Sequence, residues 1–199
     1  MLTQIDADTR GNRTWKVTTG PSVEPVSVDE LKVFARIDGS EEDTLLASFI
    51  EAARINIENY LKRALIEQTI TLHMDWVNTR EIFLPRPPLI SVTGIYTIDE
   101  DDVETEYSTD YYFVVTESIP GKIIIKRNSS LPSNTERDYA GYKIVYKAGY
   151  GTTPADVPAV IKKAIKQLAS YYYEIRIVSD DIPPEMCKDI RSMRLRFNG

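Results

Sequence analysis

Ser40-Glu-Glu-Asp-Thr-Leu-Leu-Ala-Ser-Phe-Ile-Glu-Ala-Ala-Arg-Ile-Asn-Ile-Glu-Asn-Tyr-Leu-Lys-Arg-Ala64 carries the strongest periodicity in the chain. Leu45, Leu46, Phe49, Ile50, Ala53, Ile57, Tyr60, Leu61 and Ala64 recur at spacings of three and four, which gathers them on one face of an α-helix. Glu41, Glu42 and Asp43 stand where the helix macrodipole favours acids, with Ser40 as the cap, so the pattern predicts a helix over 41–64. Its opposite face, with Glu51, Arg54, Glu58, Lys62 and Arg63, reads as solvated, and Glu58 with Lys62 as a favourable surface pair. At about 1.5 Å per residue such a helix is roughly 35 Å long, long enough for one end to meet another subunit.

Upstream, Ser27-Val-Asp-Glu30 is a capping box, in which serine hydroxyl and glutamate carboxylate satisfy the amides that a helix start leaves unpaired. It predicts a short helix over 28–36, stopped at Asp38-Gly39. Downstream, alternation and turn residues predict strands at about 68–76, 81–84, 90–98, 103–107, 111–116, 121–126 and 141–147. Trp15-Lys-Val17 is a further short strand candidate. Pro85-Arg-Pro-Pro88 lacks the donors for a regular ladder and is expected at an edge or a crossing between strands. Pro154 to Pro158 introduces a last long helix over 158–177, with Asp156 or a nearby residue as cap and Val160, Ile161, Ala164, Ile165, Leu168, Ala169 and Tyr172 as its apolar face.

Helices at both ends of a β-rich middle predict an α+β fold: a helical core from the N- and C-terminal helices with a central inserted antiparallel β-region over 68–147. The expected organisation is a flexible arm over 1–14, a single domain over 15–182, and a short helix and tail over 183–199. Pro183 and Pro184 would start that short helix. Beyond it Arg194, Leu195, Arg196 and Phe197 alternate basic and apolar residues, a pattern suited to a partner's sheet edge or groove.

The composition is that of an ordinary globular protein, 42% hydrophobic and 27% charged over 199 residues, large enough for a core without disulfides. No run approaches a membrane span, and residues 1–14 are too polar for a signal peptide, so a soluble protein made in the cytoplasm is expected. Cys187 is the single cysteine and reads as a semi-buried apolar residue; His73 is the single histidine, on the strand 68–76, where Ile70, Leu72, Met74 and Trp76 share one face and His73 points to the other. No nucleophile elbow, phosphate loop or metal-ligand spacing accompanies them, so neither an enzyme nor a cofactor is expected.

A net charge of −6 argues against a protein built to grip phosphates. The charge is also segregated: residues 96–110 hold seven acids and no base, whereas 185–199 hold four bases against two acids. Asp99, Glu100, Asp101 and Asp102 fit the tip of a hairpin between 95–98 and 103–107. A hard-cation site is the alternative for these carboxylates, but the EF-hand spacing is missing. A helix-turn-helix reading of 28–36 and 41–64 is opposed by the acids at the start of the would-be recognition helix.

The landmarks Pro25-Val-Ser-Val-Asp-Glu-Leu-Lys-Val-Phe-Ala-Arg-Ile-Asp38, Glu42-Asp-Thr-Leu-Leu46, Ala52-Ala-Arg54, Tyr60-Leu-Lys-Arg-Ala-Leu-Ile66, Leu84-Pro-Arg-Pro-Pro-Leu89, Ala148-Gly-Tyr-Gly151, Val157-Pro158 and Tyr172-Tyr-Glu174 follow one another in a telling order. In that order, over roughly Trp15 to Leu195, the chain resembles the head–tail connector, or adaptor, proteins of long-tailed bacteriophages, prophages and gene transfer agents. The resemblance implies a structural virion protein forming a ring, commonly of twelve copies, at the head–tail interface. That ring would dock under the portal protein, extend the DNA channel without specific DNA binding, and receive stopper or tail-completion proteins, with no cofactor. By position, Arg191, Arg194, Leu195, Arg196 and Phe197 are then candidates for the portal contact. A tail-completion or baseplate protein is the structural alternative, since it would share the acidic, cofactor-free profile.

Overall fold

The computed structural model describes residues 13–130, 132, 137–179 and 182–195. In chain order the elements are β1 (Arg13–Thr19), α1 (Val28–Ala35), α2 (Asp43–Leu61), β2 (Gln68–Met74), β3 (Glu81–Phe83), β4 (Leu89–Ile98), β5 (Glu104–Glu106), β6 (Tyr112–Val115), β7 (Lys122–Ile125), β8 (Tyr142–Ala148) and α3 (Ala159–Ile175). This is the expected α+β class. Where one domain was expected over 15–182, the chain divides into two compact units: a β unit comprising the segment up to Gly20 and Glu67–Gly149, and a helical unit comprising Pro21–Ile66 and Tyr150–Gly199. Arg13 and Thr14, assigned to the arm from sequence, are the first residues of β1; the rest of the expected arm lies outside the described residues.

In the β unit all pairings are antiparallel. One sheet has five strands in the order β1-β2-β8-β4-β5, the other three in the order β3-β7-β6. The register across the larger sheet explains its two faces, since directly opposed residues point the same way. Trp15, Leu72, Ile144 and Ile95 stand in one buried row; Thr14, His73, Lys143, Tyr96 and Glu106 stand in the next, on the other face. His73 is thus where alternation puts it. Burial first, and then the charges of Lys16, Lys143 and Arg137, lower its pKa below the usual histidine value. Trp76 departs from the expected pattern: β2 ends at Met74, alternation stops with it, and the indole is 52% exposed.

Pro85 to Pro88 carries the chain from β3 in the small sheet to β4 in the large one, the crossing that its missing donors suggested. Arg86 takes a left-handed backbone (φ 57°) and lays its guanidinium 4.7 Å from the Trp15 ring centre. The Pro85 carbonyl accepts a 2.9 Å bond from the hydroxyl of the fully buried Tyr146, and that burial holds the phenol well above its ordinary pKa.

The helical unit begins with the capping box as predicted. Glu30 N donates to Ser27 Oγ (3.1 Å) and Ser27 N to Glu30 Oε2 (3.3 Å), and α1 ends at Arg36 in the left-handed conformation. α2 starts later than its sequence pattern implied. Its N-cap is Glu42, without a side-chain capping bond, because Ser40 lies in the preceding turn where its carbonyl accepts from Asp43 N. Glu42 binds α3 instead, accepting from the Tyr173 hydroxyl and from Arg176 Nη2 (2.8 Å). Those two bonds, the phenol's first, lower the Glu42 pKa.

The supposedly solvated face of α2 is partly interior. Arg54, Asn56 and Glu58 are buried. Arg54 Nε meets Glu24 Oε2 at 2.8 Å and Nη1 meets Glu58 Oε2 at 3.1 Å, while Glu58 Oε1 accepts the Leu65 amide at 2.8 Å. Burial alone would lower the Arg54 pKa; the Glu58 and Glu24 carboxylates reverse the sign and raise it. Asn56 Nδ2 donates to the Tyr172 hydroxyl (2.8 Å) and to the Ser179 carbonyl (2.9 Å). Glu24, Tyr172 and Ser179 come from segments distant in sequence, and Leu65 from the turn just after α2. Between them runs the core of Leu46, Phe49, Ile50, Ala53, Ile57 and Leu61 against Ile161, Ala164, Ile165, Leu168 and Tyr172.

Asp156, expected to cap α3, caps the short 3-10 turn Pro154–Asp156 before it. Its Oδ2 accepts from Thr153 N (2.9 Å) and Oγ1 (2.8 Å), and these bonds lower its pKa. A side chain on Gly151 would strike that carboxylate, since a Cβ there would lie 2.3 Å from Oδ2. α3 then starts after Pro158, where a missing amide costs nothing.

Candidate functional site

Residues 182–195 close over the C-terminal end of α2. In place of the expected short α-helix after Pro183 the chain makes successive turns, with Met186 N donating to Pro183 O (2.9 Å) and Ile190 N to Cys187 O (3.2 Å), and then a 3-10 turn at Arg191–Met193. A segment this short does not recover the cost of nucleating α-helix, and 3-10 bonding takes over. Ile190 is fully buried and Cys187 nearly so; burial raises the thiol pKa, which keeps it a packing group. Arg63 Nε donates to the Met193 carbonyl (2.7 Å), Leu195 N donates to the Leu61 carbonyl (3.0 Å), and Lys163 pairs with Asp189 (2.8 Å).

This geometry sorts the candidate contact residues. Arg191 is exposed, and Arg194 is exposed with its guanidinium 5.1 Å from the Tyr60 ring centre. Leu195 is 8% exposed, buried in its own chain by the bond to the last residue of α2. Arg196 and Phe197 lie outside the described residues. The described part of the segment therefore offers two arginines, held in place by an apolar and main-chain anchor.

The acidic stretch forms the tip between β4 and β5, whose register pairs Tyr96 with Glu106, Thr97 with Thr105 and Ile98 with Glu104. Asp99 organises the turn: its Oδ1 accepts from Asp101 N (3.0 Å) and Val103 N (2.9 Å), and Asp102 takes the left-handed conformation (φ 62°). Asp102 pairs with Arg137, and Glu104, just past the tip, with Lys143. Glu100 and Asp101 stay exposed.

A groove of about 340 Å³ opens between α1, the C-terminal half of α3 and the turns after Pro183, lined by Phe34, Gln167, Ser170, Tyr171, Glu174, Glu185 and Met186. Sequence reading missed it. α1 carries Val33 and Phe34 outward, 83% and 44% exposed, and eight residues are too few for periodicity to reveal a second apolar face. Among the described residues no helix is long and apolar enough to cross a membrane.

The described surface offers exposed arginines, an acidic turn and an apolar groove in the helical unit. Comparison with known proteins assigns the chain to a family. The family model described as head completion protein matches residues 24–181, and the chain belongs to that family. It is a structural head–tail connector protein of a virion. Its fold is similar to chains in three structures of gene transfer agent (GTA) particles. In the virion of the native particle the match has 25% identity, a TM-score of 0.78, and covers 93% of this chain and 97% of that one. In the neck of the empty particle computed with C6 symmetry the values are 24%, 0.79, 93% and 97%. In the neck of the native particle computed with C12 symmetry they are 23%, 0.72, 92% and 98%. No curated protein matches the chain.

Proposed function

We propose that the chain assembles as a ring, of twelve copies in the virion, docked under the portal protein at the head–tail interface, where it extends the DNA channel and receives the stopper or tail-completion proteins. The observation that carries this reading is membership of the head completion family over residues 24–181, joined to a fold that follows a GTA virion chain over 93% of its length. The C12 symmetry of one of the similar neck structures supports the copy number. The role is structural, and no step of it calls for catalysis or a cofactor.

Arg191 and Arg194 supply the portal contact in this reading, because they are exposed and set on a fixed anchor at the end of α2. The net charge of −6 suits a passage for DNA: an acidic surround repels the duplex and lets it slide, where a basic one would hold its phosphates. The acidic tip contributes to that field. Electron microscopy of the protein mixed with the purified portal ring of the same genome tests the reading. An added ring of density at the narrow end of the portal is expected; a bare portal overturns it.

A further inference from the structure

The two sheets of the β unit leave four outer edges among the described residues: β1 and β5 on the large sheet, β3 and β6 on the small one. Edge strands are ordinarily guarded by charges or bulges. β1 carries Arg13, Lys16 and a register shift between Val17 and Thr19, and β5 is the wholly exposed Glu104-Thr-Glu106. β6, Tyr112-Phe-Val-Val115, has no charge, proline or bulge. Its register with β7, with the bond from Lys126 N to Tyr111 O, turns the main chain of Phe113 and Val115 toward β7 and that of Tyr112 and Val114 outward. No main-chain partner meets those outward groups among the described residues. Ile82, Ile123 and Val114 form one row across the small sheet; the first two are buried, but Val114 is 38% exposed, and Phe113 on the opposite face is exposed too.

We propose that β6 takes the β3 strand of a second copy as its next strand, which continues the small sheet from copy to copy. Within one copy β7 lies between β3 and β6, so only another copy can join the two. Of the four edges, β3 alone combines apolar residues with an acid, Glu81-Ile-Phe83, and Glu81 is exposed. Lys126, its ammonium 4.7 Å from the Phe113 ring centre, borders the β6 edge and meets that carboxylate. β1 would bring it an arginine and a lysine, β5 no apolar surface, and a second β6 another Lys126. β3 and β6 both run antiparallel to β7 and so parallel to each other, and side-by-side copies in a ring keep one strand direction, which makes the joint a parallel pair. The register of β3 turns the main chain of Glu81 and Phe83 outward. Val114 N then donates to the second copy's Glu81 carbonyl and Val114 O accepts from its Phe83 N, with Val114 beside Ile82 and Val115 beside Phe83. The Glu81 carbonyl already accepts from the Thr79 hydroxyl at 2.8 Å and has a second lone pair to give. One β6 edge and one β3 edge per copy make the contact heterologous, the kind that closes into rings, so the proposal rests on the ring reading and supplies one of its joints.

The test is oxidative cross-linking of the full-length protein in a Cys187→Ala background, both concentrated alone and mixed with the purified portal ring. Phe83→Cys with Val115→Cys should give a ladder of multimers on a non-reducing gel, and either change alone only monomer. In one copy the two sites are two strands apart, about 10 Å, too far for a disulfide within the chain. Val114→Pro removes an outward N–H and leaves the β6–β7 bonds in place, so it should cut the ladder about tenfold or more with the circular dichroism spectrum unchanged. Dimers from Val115→Cys alone would mean that β6 pairs with itself and would overturn the proposal, as would a ladder indifferent to Val114→Pro. A ring of density on the portal without a ladder removes this joint and leaves the ring reading standing; a bare portal without a ladder overturns both.

Discussion

Removing the Glu58 carboxylate distinguishes a surface charge from a buried one. If Glu58 were the solvated partner of Lys62, losing it would cost about 0.3–0.5 kcal/mol. In the structure it is 6% exposed, closes on Arg54 at 3.1 Å and accepts the Leu65 amide at 2.8 Å. Glu58→Ala leaves the buried Arg54 guanidinium with its bond to Glu24 and the charge of Glu51, and the Leu65 amide without its acceptor. Breaking a buried pair costs about 3–5 kcal/mol and an unsatisfied buried donor about 1–3, and Glu24 keeps part of the pairing, so a loss of about 4 kcal/mol is expected. Glu58→Gln keeps an acceptor for Leu65 and removes only the charge; about 2–3 kcal/mol is expected. Urea unfolding followed by circular dichroism reads both variants from the shift in midpoint at unchanged slope. A Glu58→Ala loss within about 0.5 kcal/mol of the unchanged protein would refute the buried network.

Leu195→Ala should lower stability by about 2 kcal/mol, the low end for a buried leucine, as read by thermal unfolding; an unchanged midpoint would show that the side chain is not packed on its own chain. Ser27→Ala removes one half of the capping box and should cost about 1 kcal/mol, with Ser27→Asp restoring most of it in the same assay. Glu42 titrates below an ordinary glutamate because the Tyr173 hydroxyl and then Arg176 bind its ionised form. Its folded pKa is depressed, so the contribution is full above the ordinary carboxylate value and is lost as pH falls through the lowered one. Carboxyl NMR should show that shift diminish in Tyr173→Phe, and an unmoved titration would exclude the bond.

The local elements were legible because their signals are local. The Ser27–Glu30 capping box, the three-and-four spacing of α2 and α3, and the alternation of β2 and β8 each name an element within a few residues. The β4–β5 hairpin was also readable, since its partners lie on either side of one turn. What joins distant segments was not legible: β1 against β2, β2 against β8, and the division of the strands between two sheets. The polar face of α2 shows the same limit. Arg54 and Glu58 look solvated in sequence, and what makes them interior is Glu24, thirty residues away, together with the turn after α2 that folds Leu65 back onto Glu58. For the candidate site, the alternation of Arg194 to Phe197 marked a contact segment. Leu195 belongs to the anchor instead, because an apolar residue next to a helix end with a free carbonyl has a partner closer than any portal.

Gln68 opposes Ala148 in the sheet, and just beyond them Tyr150 N donates to the Leu65 carbonyl. The long excursion from Glu67 to Gly149 therefore leaves the helical unit and rejoins it at neighbouring residues. The entropy of closing a loop grows only with the logarithm of its length, so what lies between those two points weighs little on the helices that flank it. The β segment, completed by β1 from the N-terminal side, is in effect a cassette whose length and surface charge can vary at little entropic cost to the helices that flank it.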